Sequence, residues 1–126
     1  MMTNTECGRA FPMSLEDVFQ AVSNSRRRRV ILSVDRVENG VDANQLSIEI
    51  ASRENAIDPS KMTGEQRSRV YVNLVQDHLI TLDELNVARY DPRSKLVKAT
   101  DTTAPLARLI REVTADCYTP VEDAGE

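Results

Sequence analysis

Apolar residues recur at helical spacing along most of this chain and alternate only in one short stretch. From residue 14 to 85, and again from about 103, they stand three or four apart, which predicts amphipathic helices. Residues 87–99 instead indicate strand, turn and strand. Four helices, a hairpin and a further helix form the layout of a winged helix-turn-helix. We therefore predict an α+β fold, mainly α, with a β-hairpin wing and an extra C-terminal helix.

Capping residues mark where the predicted helices begin, and apolar stripes mark their buried faces. Ser14, Asp42 and Thr63 have the capping pattern, Val41 supplies a very short strand, and Asn39-Gly40 ends the second helix. The stripes expected to be buried in the first four helices are Leu15, Val18, Phe19 and Val22; Val30, Ile31, Val34 and Val37; Ala43, Leu46, Ile50 and Ala51; and Tyr71, Leu74, Val75, His78, Leu82 and Leu85.

The length of 126 residues suits one domain with a single core. We expect a flexible N-terminal arm over 1–13, the winged helix over 14–100, a C-terminal helix over 101–117 and a frayed acidic tail over 118–126. No apolar run is long enough to cross a bilayer, and the N-terminus lacks the pattern of a secretory signal. These features predict a soluble cytoplasmic protein without membrane contacts.

Residues for catalysis or metal binding are sparse. His78 is the only histidine, and its place in an apolar stripe indicates a packed core residue. Cys7 and Cys117 stand near opposite ends, so the chain offers three scattered ligands where a closed zinc site needs four. The sequence has no glycine-rich phosphate loop, no GxSxG and no HExxH. We predict no catalytic residues, no metal and no cofactor, and hence no enzyme.

Positive charge is concentrated within an acidic chain of net charge −4. The sixteen basic residues are thirteen Arg and three Lys, and this scarcity of Lys beside twenty acids suggests the salty cytoplasm of a halophilic archaeon. Residues 26–36 carry a net +4 and residues 61–98 a net +2. A nucleic-acid function depends on these two segments.

The solvent side of the fourth helix carries side chains that can read base edges. Arginine can donate twice to guanine, and Asn or Gln can both donate to and accept from adenine. The residues predicted to face bases are Gln66, Arg69, Asn73 and Gln76. Those predicted to contact phosphates or the flanking groove are Arg26, Arg27, Arg28, Lys61, Arg67, Arg93, Lys95 and Lys98.

The run of four arginines, 26–29, stands at a helix N-terminus, where cations oppose the helix dipole. Two explanations stay open: contact with DNA phosphates, and internal pairing with acids such as Glu16, Asp17 or Glu49. Successive residues on a helix are rotated by about 100°, so the four side chains cannot all do the same thing. We expect one or two to pair internally and the others to face solvent or phosphate.

The last helix follows the elements that complete the core of a winged helix, and it has an apolar stripe of its own. Its side chains either fold back on the first helix or pair with their copies in a homodimer. We predict a homodimer, with contacts from Leu106, Leu109, Ile110 and Val113.

Three stretches resemble a domain family that is widespread in haloarchaea and has no assigned function. They are LEDVFQAVSNSRRRRV from Leu15, RSRVYVNLVQDHL from Arg67 and LDELNVARYD from Leu82, within about residues 14–100. That family is similar to the ArsR-type winged helices, which implies a winged-helix fold and a transcriptional role. Metal-sensing ArsR proteins carry a cysteine pair on the recognition helix, and this fourth helix has no cysteine. Asn86 stands where such domains often place glycine or another small residue before the wing.

Together these features predict a transcriptional regulator that binds double-stranded DNA sequence-specifically through the fourth helix and the wing, without bound metal. The alternative is a winged-helix module that docks a protein partner through its last helix and hairpin and does not bind DNA. The net negative charge favours this alternative, because a basic patch is the usual footprint of DNA binding.

Overall fold

The computed structural model describes residues 11–116, which form six α-helices and three β-strands. The helices are α1 (Leu15–Val22), α2 (Ser25–Asp35), α3 (Ala43–Asn55), α4 (Gly64–Asn73), α5 (Leu79–Glu84) and α6 (Thr103–Asp116). The strands are β1 (Val41–Asp42), β2 (Ala88–Asp91) and β3 (Leu96–Ala99). None of the helices in this range combines the length and the apolarity that crossing a bilayer requires. Most of the predicted arm, the acidic tail, Cys7 and Cys117 lie outside the described residues.

The three strands form one antiparallel sheet in the order β1-β3-β2. Val97 of β3 lies between Val41 of β1 and Tyr90 of β2. The strand between α2 and α3 thus pairs with the second strand of the hairpin and ties the hairpin to the helices. Helix, strand, two helices and a hairpin in this order are the winged-helix layout, so the predicted α+β, mainly α fold is confirmed.

The three predicted helix caps form hydrogen bonds to the backbone of their own first turns. The side chain of Ser14 accepts from the N–H of Asp17 at 3.2 Å, and that of Asp42 accepts from the N–H of Asn44 at 2.6 Å. Thr63 belongs to a reciprocal capping box at the start of α4. Each such cap stabilises its helix by about 0.5–2 kcal/mol. Short polar residues in the sequence therefore locate these helix starts.

The core consists of the stripes predicted for α2, α3 and the long fourth helix, joined by residues of the sheet and of α6. All four predicted residues of α3 are buried, as are three of the four in α2. Val37 is instead 39% exposed, because α2 ends two residues earlier, at Asp35. Between α4 and α5 the chain makes a π-helical turn, Leu74–His78, so that 64–84 is one continuous helix. The extra residue of this turn brings Leu79 into the core beside His78.

The stripe predicted for α1 is wrong in two of its four positions. Leu15 is 65% exposed and Phe19 is 61% exposed, whereas Val18 and Ala21 are buried. Ala21 has no exposed surface, and its small side chain lets α1 lie close to α2. The helix is therefore rotated so that its two large apolar side chains point to solvent.

The last helix, α6, packs against α2 and α1 of its own chain. Leu106 and Ile110 are buried there, and Leu109 packs against the same core. Arg111 adds an ion pair with Asp35 of α2 at 2.9 Å. The predicted dimer contacts of these three apolar side chains are therefore occupied within the chain. Of the four, Val113 is exposed, at 49%.

Candidate nucleic-acid interface

Arg26, the first residue of the arginine run, connects three helices. Its Nε and Nη2 donate to the carboxylate of Glu54 in α3 at 2.6 and 2.8 Å. Its Nη1 donates to Oδ1 of Asn73 in α4 at 2.7 Å. The bidentate pair with Glu54 raises the pKa of Arg26 despite partial burial. The guanidinium is therefore bound within the fold, so its predicted phosphate contact, which stays a prediction, would have to replace one of these partners.

Arg27 and Arg28 close the C-terminal end of α1. Nη1 of Arg27 donates to the carbonyl oxygen of Gln20, and Nη1 of Arg28 donates to that of Val22, both at 2.7 Å. Carbonyls at a helix end lack partners within the helix, and cations are favourable there. Capping α1 thus offsets the unfavourable position of these cations at the start of α2. Their predicted phosphate contacts stay predictions and would have to compete with these carbonyl contacts.

His78 is a packed core residue, as predicted, with 5% of its surface exposed. Nε of Arg27 donates to its Nδ1 at 3.1 Å, which requires an unprotonated Nδ1. Burial lowers the pKa of His78 below its ordinary value, the nearby Asp77 opposes this shift, and Arg27 adds to it. His78 therefore lies as a neutral imidazole in the core, at the end of the π-helical turn between α4 and α5.

Two of the four residues predicted to face bases are half-buried and make hydrogen bonds within the protein. Oε1 of Gln66 accepts from the backbone N–H of Thr63 at 3.0 Å and completes the capping box of α4. Asn73 is half-buried and binds Arg26. The sequence predicts that both lie on the solvent side of the fourth helix, but polar contacts draw these amide groups toward the protein.

The other two, Arg69 and Gln76, are exposed as predicted. With their exposed neighbours they form a surface that we call the outer face: Glu65, Ser68, Arg69, Val72 and Gln76. Arg69 pairs with Glu65 at 2.8 Å, and both side chains are 74% exposed. Such an exposed pair contributes only about 0.3–0.5 kcal/mol, whereas a bidentate contact of Arg with guanine discriminates by about 1–3 kcal/mol. Arg69 can therefore exchange Glu65 for a base at little cost.

The predicted wing residues lie on and beside the tip of the hairpin. Arg93 and Lys98 are exposed, whereas Lys95 is half-buried in a left-handed conformation with φ of 66°. The N–H of Arg93 and the hydroxyl of Ser94 donate to the carboxylate of Asp91 and hold its pKa below the ordinary value. The tip is therefore an ordered turn that carries one fixed negative charge among its cations.

A fourth wing cation, Arg89, is absent from the sequence prediction. It lies in β2 directly across from Lys98 in β3, and both are exposed. Ala88 and Tyr90 on either side of it are buried, so period-two alternation in this strand carried the signal. We call Arg89, Arg93, Lys95 and Lys98 the wing cations.

One backbone hydrogen bond and one side-chain hydrogen bond connect the wing with the starts of α3 and α4. The N–H of Ala43 at the start of α3 donates to the carbonyl of Lys95 at 2.8 Å. Nη1 of Arg67, near the start of α4, donates to Oδ1 of Asn44 at 2.7 Å. Lys61 is exposed in the 3-10 turn, Pro59–Lys61, that precedes α4. The N-terminal ends of α3 and α4 and the tip of the wing are thus neighbours.

The comparisons with known proteins give one match. The model of the family described as Domain of unknown function (DUF7344) matches residues 19–98, more than half of the chain, from α1 to the end of the wing. No curated protein and no solved structure matches the chain. By this match, which includes the arginine run, the outer face and the wing, the chain belongs to the DUF7344 family.

Proposed function

We propose that this protein is a transcriptional regulator that binds double-stranded DNA in the cytoplasm, and that it is neither an enzyme nor a metal sensor. The strongest support is that the N-terminal ends of α3 and α4 lie next to the wing. Winged helix-turn-helix proteins present such elements to DNA, with the recognition helix in the major groove. Here α4 is the recognition helix.

In this proposal the outer face reads bases. Arg69 donates to O6 and N7 of guanine, and Gln76 pairs with adenine. Val72, which is 47% exposed, meets a thymine methyl group. Three neighbouring side chains thereby address three different bases.

The wing cations, with Lys61 and Arg67, contact phosphates. Such contacts position a protein on the duplex and contribute most of its salt-dependent affinity, but they carry no sequence information. Among the described residues, Asn44 is the one side-chain partner of Arg67, which leaves further N–H groups of the guanidinium to donate. Arg67 can therefore bind a phosphate while it keeps its hydrogen bond to Asn44. The proposal does not depend on Arg26, Arg27 and Arg28, whose side chains bind partners within the fold.

Selection of duplexes from a random pool by the purified protein tests the proposal. Wild type is expected to enrich one motif. Arg69→Ala combined with Gln76→Ala should relax the motif while leaving affinity for unselected DNA nearly unchanged. Arg93→Ala combined with Lys98→Ala should weaken all sequences alike. Equal loss on every sequence from the first pair would contradict base reading by the outer face.

A homodimer stays part of the proposal, because helix-turn-helix regulators commonly bind paired half-sites. Since Leu106 and Ile110 are buried in the chain, its contacts must come from other apolar side chains. Leu15, Phe19 and Val113 are exposed. Light scattering reports the state in solution, and a palindromic motif from the selection would agree with a dimer.

One observation favours the second candidate, a module that docks a protein partner. Besides Val72 on the outer face, Ile80 of α5 is 42% exposed further along the same long helix. Exposed apolar side chains in a row suit a protein surface as well as a thymine methyl. Folded protein that enriches no duplex above background would favour this candidate.

A further inference from the structure

Two contacts fix how α2 and α3 lie against each other. Near the start of α2, Arg26 binds Glu54 at the end of α3. Near the end of α2, the hydroxyl of Ser33 donates to the carboxylate of Glu49 at 2.7 Å. The start of α2 therefore contacts the end of α3, and the end of α2 contacts an earlier part of α3. The two helices run antiparallel along a shared seam.

This register brings two further arginines to the same seam. Arg29 lies between Arg26 and Ser33 at helical spacing of three and four, which keeps it on the face that meets α3. Arg53 lies in α3 one turn beyond Glu49. Burial and the charge of Arg53 are the two largest influences that lower the pKa of Arg29, which agrees with their closeness.

The acids of the seam are already bound to other groups. Glu54 holds Arg26, and Glu49 holds Ser33 together with Arg36, whose Nη2 lies 3.3 Å from the carboxylate. Within residues 11–116, Arg29 and Arg53 make no side-chain hydrogen bond and no ion pair. Two guanidinium groups therefore lie near each other without an ion pair among the described residues, one half-buried and the other exposed. Glu49 is close enough for its charge to raise the pKa of Arg29, but burial and Arg53 outweigh it.

We propose that this arginine seam, formed by Arg29, Arg36 and Arg53 around Glu49, docks a carboxylate-rich segment of a partner protein. Planar guanidinium groups bind carboxylates through paired hydrogen bonds. One carboxylate already lies at the seam: Nη2 of Arg36 donates a single hydrogen bond to Oε2 of Glu49 at 3.3 Å.

A carboxylate suits the seam better than a phosphate. Phosphate sites commonly use free backbone N–H groups at a helix start. Arg29 and Arg53 lie inside their helices, where backbone N–H groups are bound within the helix, so only side chains can donate. No seam residue belongs to α4 or to the wing, so this docking is separate from the proposed DNA contact.

Calorimetric titration of the intact protein with hexaglutamate tests the proposal, with hexaglutamine and inorganic phosphate as comparison probes at equal ionic strength. Wild type should bind hexaglutamate saturably and the other two at least about tenfold more weakly. Arg29→Gln combined with Arg53→Gln should weaken hexaglutamate by about tenfold or more. Arg108→Gln, which removes an exposed arginine from α6, is the matched control and should leave binding unchanged.

The double variant removes facing like charges, so its melting temperature should equal or exceed that of wild type. If it fails to fold, Arg53→Gln alone decides, since Arg53 is exposed. Unchanged binding by the seam variants, or phosphate binding as tight as hexaglutamate, would overturn the proposal. Binding that appears only after Glu122→Gln, Asp123→Asn and Glu126→Gln would also overturn it, because the acidic tail would then be the occupant.

Discussion

At the scale of single residues, the same residue type has opposite roles in different parts of this chain. Arg26 is 27% exposed and joins three helices, whereas Arg69 is 74% exposed and pairs with its helical neighbour Glu65. The sequence shows that the arginine run is unusual at a helix start. It cannot show the partners, because Glu54 and Asn73 lie 28 and 47 residues away along the chain.

We predict that Arg26→Met lowers the free energy of unfolding by about 1–3 kcal/mol. The change removes hydrogen bonds to a charged partner and leaves the carboxylate of Glu54 partly buried without one. The matched control is Arg69→Met, expected to cost less than about 0.5 kcal/mol because its pair is exposed. Urea unfolding followed by circular dichroism measures both. Equal losses would contradict the internal role of Arg26.

His78 predicts a dependence of stability on pH. Burial lowers its pKa in the folded state below the ordinary value of 6.5, so the unfolded chain binds the proton more tightly. The contribution of neutral His78 is therefore complete above the unfolded pKa and is lost as the pH falls below it toward the folded pKa. His78 is the only histidine, so few other groups titrate in this window.

Urea midpoints at about pH 7 and about pH 5 measure this effect. Wild type should be less stable at the lower pH, and His78→Gln should lose most of that difference. A variant with the same pH dependence as wild type would show that other groups cause it.

At the scale of elements, periodicity and caps predicted the order of helices and strands, and short polar residues predicted where three helices begin. Two features of the helices could not be predicted from periodicity and caps. The rotation of α1 depends on how closely Ala21 approaches α2, and the π-helical turn depends on packing around His78. Both are tertiary effects, since an apolar stripe records spacing and not the partner against which it packs.

The rotation of α1 predicts an asymmetry between its apolar residues. Leu15→Ser and Phe19→Ser should each change the free energy of unfolding of the monomer by less than about 1 kcal/mol, because both side chains are mostly exposed. Ala21→Leu should cost about 1–3 kcal/mol by overfilling the contact with α2. Thermal unfolding measures all three variants. A larger loss of stability from Leu15→Ser and Phe19→Ser than from Ala21→Leu would contradict the rotation of α1 and favour the stripe predicted from the sequence.

The proposed phosphate contacts of the wing predict how the affinity for DNA depends on salt concentration. Arg89→Gln combined with Lys98→Gln should lower the slope of log affinity against log salt by about 2, since each lost phosphate contact removes about 1. Fluorescence anisotropy with one duplex over a range of KCl concentrations gives the slope. Arg108→Gln, a cation of α6 outside the interface, should leave it unchanged.

At the scale of the whole molecule, the candidate interface combines elements that the sequence predicted singly. The exposed positions of Arg69, Gln76, Arg93 and Lys98 agree with that prediction, and Arg89 joins them by strand alternation. Gln66 and Asn73 do not, because a helical wheel shows direction and not the hydrogen bonds that hold a side chain. The meeting of the α3 start, the α4 start and the wing requires the sheet pairing that only the fold provides.

Mapping of the surface by NMR tests the central claim most directly. The intact, labelled protein is titrated with duplex DNA, and the shifts of backbone amides are followed. If the outer face and the wing bind DNA, saturable changes are expected at Ser68, Arg69, Val72 and Gln76 and along residues 89–98, with little change in α6. An absence of saturable changes, or changes confined to α1 and α6, would contradict DNA binding by the outer face and the wing.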